Sequence, residues 1–213
     1  MNNVFSKIVL LCIVLRCGAV DVIEEPIVFK NLRKFAATGE CQGCDLSGLD
    51  LRGTLIALRE CGKKIDLANA DLSRADLSQS DLRDINLMGV NLEKASLFFS
   101  NLEGQKLHNT TLKDVKAWNV NLKGADLKGA DLTNACFYSG DLEDANLTDT
   151  ICEGAVFSEA KIARAVFTNA DLRKAEFDQT QGVEKACFVR VRRINYKDEK
   201  APKIIRQLAQ KHT

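Results

Sequence analysis

Several residue types are scarce in this 213-residue chain, and each scarcity excludes a class of protein. Proline and histidine occur twice each, and aromatic residues make up only 6% of the chain. Because histidine is present only at His108 and His212, no Ser/His/Asp or Cys/His catalytic arrangement can be assembled. The sequence also has no glycine-rich phosphate-binding motif. We therefore predict that the protein is not an enzyme and needs no cofactor.

Net charge is almost absent as well. Lys and Arg together number 30 and Asp and Glu 29, so the formal net charge at pH 7 is +1. A chain without net charge has no overall electrostatic field, so it neither attracts the phosphate backbone of a nucleic acid nor imitates it. We expect no nucleic-acid partner.

One apolar run, Ile8–Leu15, follows Lys7 near the N-terminus. Its eight residues are too few to cross a bilayer, so no stable membrane span is expected. The small residues Cys17 and Ala19 that follow are typical of a secretory signal. We predict that residues 1–19 are a signal peptide and that the mature protein is periplasmic or extracellular, or in the thylakoid lumen if the source is photosynthetic.

What the sequence does contain is a repeat of five residues. A large apolar residue returns at every fifth position from Leu67 to Phe177, and 21 of these 23 central positions carry Leu, Ile or Phe. Two residues before each centre, 20 of 23 positions carry Ala, Ser, Thr, Val or Gly; the exceptions are Ile65, Ile85 and Gln105. Asp or Asn stands between the two in 13 units, and such side chains bond nearby backbone amides at bends.

A period of five is incompatible with one helix or one continuous strand. Five residues advance the azimuth of an α-helix by about 140°, and in a strand an odd period sends alternate centres to opposite faces. A short segment that points in, out and in again, followed by a turn, buries every centre. Four such units close a square of twenty residues, and squares stack at about 4.8 Å.

The segments ADLSRADLSQS and ADLKGADLTNA follow the A(D/N)LxX pattern, and about two-thirds of the chain resembles the pentapeptide-repeat family. The resemblance implies an all-β solenoid, a right-handed quadrilateral β-helix of about six to seven 20-residue coils. It also implies that members often associate through the C-terminal end. A further implication is an alternative function as a cytoplasmic DNA mimic that binds a type II topoisomerase, gyrase.

Helical spacing flanks the repeat on both sides. Before it, between Pro26 and Gly39, four residues follow i, i+4, i+7, i+8 spacing: Val28, Leu32, Phe35 and Ala36. After it, the same spacing connects Ala201, Ile204, Ile205, Leu208 and Ala209. We predict a short capping helix at each end, within residues 20–40 and within the basic segment 190–213, around a β-helix of residues 41–189. The spacing of eleven between Ile56 and Leu67 predicts a one-residue insertion near Arg59–Lys64, as a bulge or small loop.

Every twentieth residue falls in one column of the square. One inner column predicts a phenylalanine stack in the C-terminal half of the core: Leu77, Leu97, Ala117, Phe137, Phe157 and Phe177. An outward turn position carries Phe98, Trp118 and Tyr138 on consecutive coils, with Phe99 beside them. Exposed aromatic residues mark interfaces, so this column is our candidate partner-binding surface. The alternative is an aromatic ladder that only protects the turns.

Six cysteines remain beyond residue 19, an even number that permits disulfides in an exported protein. Because Cys61 lies twenty residues after Cys41, we predict a disulfide from Cys61 to Cys41 or Cys44. A structural zinc site at Cys41 and Cys44 would need a second pair of ligands, and only Cys61 is near, so no metal is expected there. Cys152 occupies a central position and is predicted to be buried in the core.

These patterns predict an exported, non-enzymatic structural or protein-interaction scaffold whose partner is unknown. Homodimerisation through the C-terminal helix or through the aromatic column is left open. The gyrase-binding alternative is less favoured, because charges of opposite sign alternate along the columns, as in Arg83, Glu103, Lys123 and Glu143.

Overall fold

The computed structural model of the protein describes residues 26–191. The predicted signal peptide, residues 1–19, and the predicted C-terminal helix around Ala201–Ala209 lie outside the described residues. Three helices occur in the described part: α1 at Ile27–Thr38, α2 at Arg52–Glu60, and a single 3-10 turn at Val183–Lys185.

Helix α1 is present where the spacing predicted a helix before the repeat. It begins after Pro26 and ends at Gly39, whose φ of 79° is left-handed and whose N–H donates to Phe35 O. A glycine suits this position because a side chain there would be strained. The buried side chains of α1, Leu32 and Phe35, belong to the same hydrophobic cluster as the central residues of the repeat.

The repeat itself forms a β-solenoid. Within residues 26–191 no strand extends over several residues; single parallel β-bridges instead join residues twenty apart, from Asp66 with Asn86 to Lys161 with Gln181. Each five-residue unit contributes one bridge and one turn. The twenty-residue coil derived from the spacing is therefore confirmed.

The prediction for the region between Ile56 and Leu67 was wrong. The coil there contains α2, and the bridges across it join residues 26 apart, for example Glu40 with Asp66. Ile56 kept the five-residue spacing only by coincidence, since its side chain is 55% exposed while Leu55 and Leu58 are buried. Six residues more than a regular coil, folded as a helix, replace the predicted one-residue bulge.

The Asp and Asn residues of the units bond at the turns, as predicted. Asp71 Oδ1 accepts a hydrogen bond from Ser73 N at 2.9 Å. It also accepts one from the side chain of Asn91, one coil further on, at 3.1 Å. The same two contacts recur in other coils, so these side chains stabilise both the turn and the stacking of coils.

The core is a continuous column of central residues. All 23 centres from Leu67 to Phe177 are buried, including the exceptions Ala117 and Cys152. The predicted phenylalanine stack is present: the rings of Phe137 and Phe157 are 5.5 Å apart, and those of Phe157 and Phe177 5.1 Å apart.

Candidate functional site

The aromatic column forms a ladder at one corner of the solenoid. The rings of Phe98 and Trp118 lie 5.7 Å apart at 70°, and those of Trp118 and Tyr138 lie 6.1 Å apart at 61°. These are edge-to-face contacts, the arrangement that aromatic pairs favour. The structure thus brings the predicted residues together, and the coil spacing sets their separation.

Much of this ladder remains open to solvent. Trp118 is 50% exposed, Tyr138 37% and the adjacent Phe99 62%. The same turn position in other coils is occupied by Ser78 and Ser158, both of which are buried. The three aromatic coils therefore present a compact apolar surface that the coils on either side do not.

Polar contacts orient the rings. Trp118 Nε1 donates to Cys136 Sγ at 2.8 Å, and Tyr138 Oη donates to the carboxylate of Glu159. Ser139 Oγ donates to the second oxygen of the same carboxylate at 2.9 Å. The bond from Tyr138 holds the pKa of Glu159 below its usual value, and the bond to Glu159 raises the pKa of Tyr138. These contacts keep Trp118 and Tyr138 in defined orientations at neutral pH.

Phe99 occupies a conformation that its side chain does not favour. The second residue of each turn has a left-handed backbone, and Phe99 has φ 57°. Glycine, Asn and Asp adopt this conformation readily, whereas a bulky residue does so at a cost. Gly104 and Asn119 hold the equivalent turn position elsewhere, with φ 67° and 55°. Local backbone stability therefore does not account for phenylalanine at this position.

The prediction for the cysteines was wrong in its pairing. Cys41 is joined to Cys44, and Cys61 is a free, exposed thiol. Helix α2 is the reason: it lengthens the coil, so Cys41 N donates to Asp66 O, and Cys61 does not fall opposite Cys41.

The remaining cysteines of the described part are unpaired. Cys152 is buried as predicted, and burial raises the pKa of its thiol to about 12. Cys136 is half-buried beneath Trp118, and Cys187 is exposed.

The acidic residues serve the turns. Burial of Asp131 opposes its ionisation, but hydrogen bonds from Thr133 and Lys113 outweigh it and hold its pKa below the usual range. His108 Nε2 lies 2.5 Å from a carboxylate oxygen of Asp126. Between residues 26 and 191, no three His, Cys, Asp or Glu side chains group so as to hold a metal ion.

The outward charges pair between coils. Glu143 lies 3.6 Å from Lys123 and 3.7 Å from Arg164, and Arg173 lies 2.9 Å from Glu153. Exposed pairs of this kind contribute little individually. Over the described residues, no helix has the length and apolar character needed to cross a membrane.

The repeat matches a known protein family. A protein-family model described as pentapeptide repeats, in eight copies, matches residues 65–104, 110–149 and 150–181, a little over half of the chain. No curated protein matches the sequence.

Several solved structures resemble the chain. A pentapeptide repeat protein from the thylakoid lumen of Arabidopsis thaliana is 29% identical over 46% of this chain and 67% of that one, with a TM-score of 0.27. Rfr23 from the cyanobacterium Cyanothece is 24% identical over 75% of this chain and 98% of that one, with a TM-score of 0.27. Full-length QnrB1, a plasmid-mediated fluoroquinolone resistance protein, is 17% identical over 68% of this chain and 79% of that one, with a TM-score of 0.37. At such TM-scores these three similarities carry no functional information.

Proposed function

Since this chain belongs to the pentapeptide-repeat family, we propose that it is an exported, non-enzymatic scaffold that presents side chains on its outer surface to another protein. Proteins of this family are generally structural or interaction proteins. The proposed framework is a right-handed quadrilateral β-helix of about six to seven coils, with a capping helix at each end. The proposed contact surface is the aromatic ladder of Phe98, Trp118 and Tyr138 together with Phe99.

The single observation that carries the proposal is the exposure of this ladder. Edge-to-face contacts contribute about 0.5–1.5 kcal/mol per pair, so stacking accounts for part of the column. It does not account for Phe99, which is 62% exposed and holds a left-handed backbone. An apolar side chain kept at a local cost and left in water is typical of a residue that a partner covers.

Export rests on the sequence of residues 1–19 and on the cysteines. The disulfide between Cys41 and Cys44 suits an oxidising compartment, where such bonds persist. Fractionation followed by N-terminal sequencing tests this part of the proposal. The mature protein should begin near Val20 outside the cytoplasm, and an intact chain beginning at Met1 in the soluble cytoplasm would contradict export.

The gyrase-binding alternative requires a surface that imitates DNA. A DNA mimic presents an extended row of negative charge, whereas Glu143 and Glu153 of this chain each lie within ion-pair distance of basic side chains from neighbouring coils. The whole chain also has a net charge of +1. These charges favour an ordinary protein partner over a DNA mimic.

Two substitutions separate binding from stability. Phe99→Asn relieves the unfavourable backbone and should raise the free energy of unfolding by about 1 kcal/mol. Trp118→Ser introduces the residue found at Ser78 and Ser158. Both variants should weaken the complex with a partner from the native extract, or a dimer of this chain, by about 1–2 kcal/mol or more.

The matched control is Ile151→Ser, which removes an exposed apolar side chain from an adjacent face. Association is measured by sedimentation of the purified chain and by cross-linked pull-down from the native extract. If Phe99→Asn raises the melting temperature and association is unchanged in both ladder variants, the ladder is not a contact surface.

A further inference from the structure

The chain contains two copies of a pattern that marks sites of N-linked glycosylation. Asn-x-Ser/Thr occurs at Asn109-Thr110-Thr111 and at Asn146-Leu147-Thr148, and nowhere else in the sequence. In a secreted protein this pattern is the acceptor for an oligosaccharide, which is bulky and must lie on the surface. A pattern of three residues also arises by chance in a chain rich in Asn, so the surroundings of each asparagine decide whether it can hold a sugar.

Asn109 lies exposed at a turn, with glycine before and after it in its column. It is the second residue of its turn, and the same position holds Gly89 one coil earlier and Gly129 one coil later. Asn109 Oδ1 lies over Gly129, where any side chain would collide with it. On the other side, no atom of Asn109 comes within 4 Å of the place where a Cβ of Gly89 would lie. The two neighbours in the column therefore leave space around Asn109.

The amide nitrogen of Asn109 is free to take a substituent. Across residues 26–191 the side chain of Asn109 donates no hydrogen bond. Asn134, at the same position of another turn, uses its Nδ2 to bind Asp114 one coil earlier, at 3.2 Å. Asn109 has Gly89 one coil earlier, which offers no side-chain acceptor. The glycine thus explains both the space and the unused amide.

The second asparagine, Asn146, has both ends of its carboxamide in use. It is half-buried in a column of one face, and its Nδ2 donates to Asp126 Oδ1 one coil earlier at 3.0 Å. Its Oδ1 accepts from Thr148 N at 3.1 Å, and its backbone is bridged to Val166 in the next coil. A sugar on this nitrogen would have to enter a stack whose coils are about 4.8 Å apart. Asn146 therefore does not suit a glycan.

We propose that Asn109 of the exported protein carries an N-linked oligosaccharide and that Asn146 does not. The inference rests on the export proposed above, because the pattern serves as an acceptor in secreted proteins. The donor is an oligosaccharide linked through its anomeric carbon to a polyprenyl diphosphate. The amide nitrogen attacks that carbon and releases one proton to solvent, while the carbon–oxygen bond breaks and its electron pair leaves with the diphosphate. One N–H remains on Asn109 Nδ2.

A glycan at Asn109 leaves the proposed contact surface open. The turn of Asn109 belongs to a unit half a coil away from the units of Phe98 and Trp118, so it lies at the opposite corner of the square. The oligosaccharide would shield that side of the solenoid and leave the side of the aromatic ladder to a protein partner. Modification and binding are separate properties, and each has its own test.

Peptide mapping of the mature protein, recovered from the exported fraction of its source cells, tests the proposal. Peptide-N-glycosidase converts a glycosylated asparagine into aspartate, so digestion in water enriched in heavy oxygen labels the site. We expect the label at Asn109 and none at Asn146. An exported chain without label at Asn109, or with equal label at both, would overturn the proposal and leave export intact. A chain found only in the cytoplasm would overturn both.

Two substitutions at Thr111 test whether the pattern is recognised. Thr111→Val removes the hydroxyl that the acceptor pattern requires and should abolish the label, whereas Thr111→Ser retains a hydroxyl and should keep it. Asn69 is the internal control: it is exposed and lies over Gly89 in the same way, but has neither Ser nor Thr two residues later. Label at Asn69, or label that persists in Thr111→Val, would overturn the proposal.

Discussion

The two halves of the solenoid use one inward column in different ways. In the N-terminal half this column reads Ile65, Ile85 and Gln105, and in the C-terminal half it continues with three alanines at 125, 145 and 165. All six residues are buried, and the units of Ile65 and Ile85 are bridged as those of the alanines are; the only gap in the bridges between residues 66 and 181 is the one between Asn86 and Lys106. There the side-chain carboxamide of Gln105 lies between the two units: its Nε2 donates to Ile85 O, and its Oε1 accepts from Lys106 N. A large apolar residue in this column therefore still lets successive coils close, whereas the buried carboxamide takes the place of a direct bond between them.

The halves also differ in how their centres fill the core. Leucines dominate the N-terminal half, whereas Phe137, Phe157, Phe167 and Phe177 pack together in the C-terminal half. Phe188, beyond the repeat, stacks on Phe167 at 4.9 Å. The C-terminal half therefore combines a complete ladder of bridges with an aromatic core.

The largest expected effect comes from Phe157→Ala. Its ring contacts three other phenylalanine rings, so the substitution should lower the free energy of unfolding by about 3–5 kcal/mol. Leu97→Ala, in the same inner column of the other half, is the matched control and should cost about 2–5 kcal/mol. Denaturant unfolding measures both. Leu97→Ala proving clearly the more costly of the two would contradict the account of the aromatic core.

A glutamine placed among the alanines should reproduce the gap. Ala145→Gln overpacks the column and should cost about 1–3 kcal/mol. It should also break the bond from Asn146 N to Ala125 O, now 2.9 Å, and expose that amide to hydrogen exchange. An Ala145→Gln variant in which Asn146 keeps its protection would show that glutamine alone does not open a corner.

Acid should weaken both halves together. Hydrogen bonds at the turns lower the pKa of carboxyl groups in each half, including Asp45 and Asp131. A carboxyl whose folded pKa is depressed stabilises the fold above its unfolded pKa of about 3.9, and this contribution is lost as pH falls through the lower folded value. The melting temperature should therefore fall as the pH is lowered from about 5 to about 3, an interval that spans the unfolded-state pKa of about 3.9.

Asp131→Asn provides the control for this effect. Asparagine retains an oxygen for the Thr133 amide but does not titrate, so the variant should lose less of its stability over the same pH interval. A variant that loses as much as the unaltered protein would show that the turn carboxylates are not responsible.

A smaller effect on stability than that of Phe157→Ala is expected at the aromatic ladder. Trp118→Ser removes two edge-to-face pairs of about 0.5–1.5 kcal/mol each, so it should cost about 1–3 kcal/mol; the indole lies outside the core, and no further packing is lost there. Thermal melting measures this loss. A cost as large as that of Phe157→Ala would show that the ladder serves mainly to stabilise the fold.

The regular part of the molecule was predictable because every five-residue unit repeats the same pattern of small, polar and large apolar residues. The coil length, the buried centres, the phenylalanine stack and the ladder followed from spacing alone. Helix α2 was missed because Ile56 continues the five-residue period, although Leu55 and Leu58 carry a helical pattern. The pairing of Cys41 was missed for the same reason.

The missing bridge between Asn86 and Lys106 has a signal in the sequence. Ile65, Ile85 and Gln105 are the exceptions at the small position, and their spacing of twenty places them in one column. The spacing does not reveal which way a buried carboxamide turns, since that depends on the carbonyl groups nearby. What covers Phe99 also depends on a partner that the sequence does not contain.

The central claim is that Gln105 interrupts the otherwise continuous bonding between coils, between Asn86 and Lys106. Residue-resolved hydrogen exchange of the full chain tests this claim most directly. Leu87 and Gly89 have no bond across the gap, whereas Leu107 and Asn109 are bonded to the next coil. The account predicts exchange at least about tenfold faster for the first pair than for the second. Equal protection of the two pairs would contradict it.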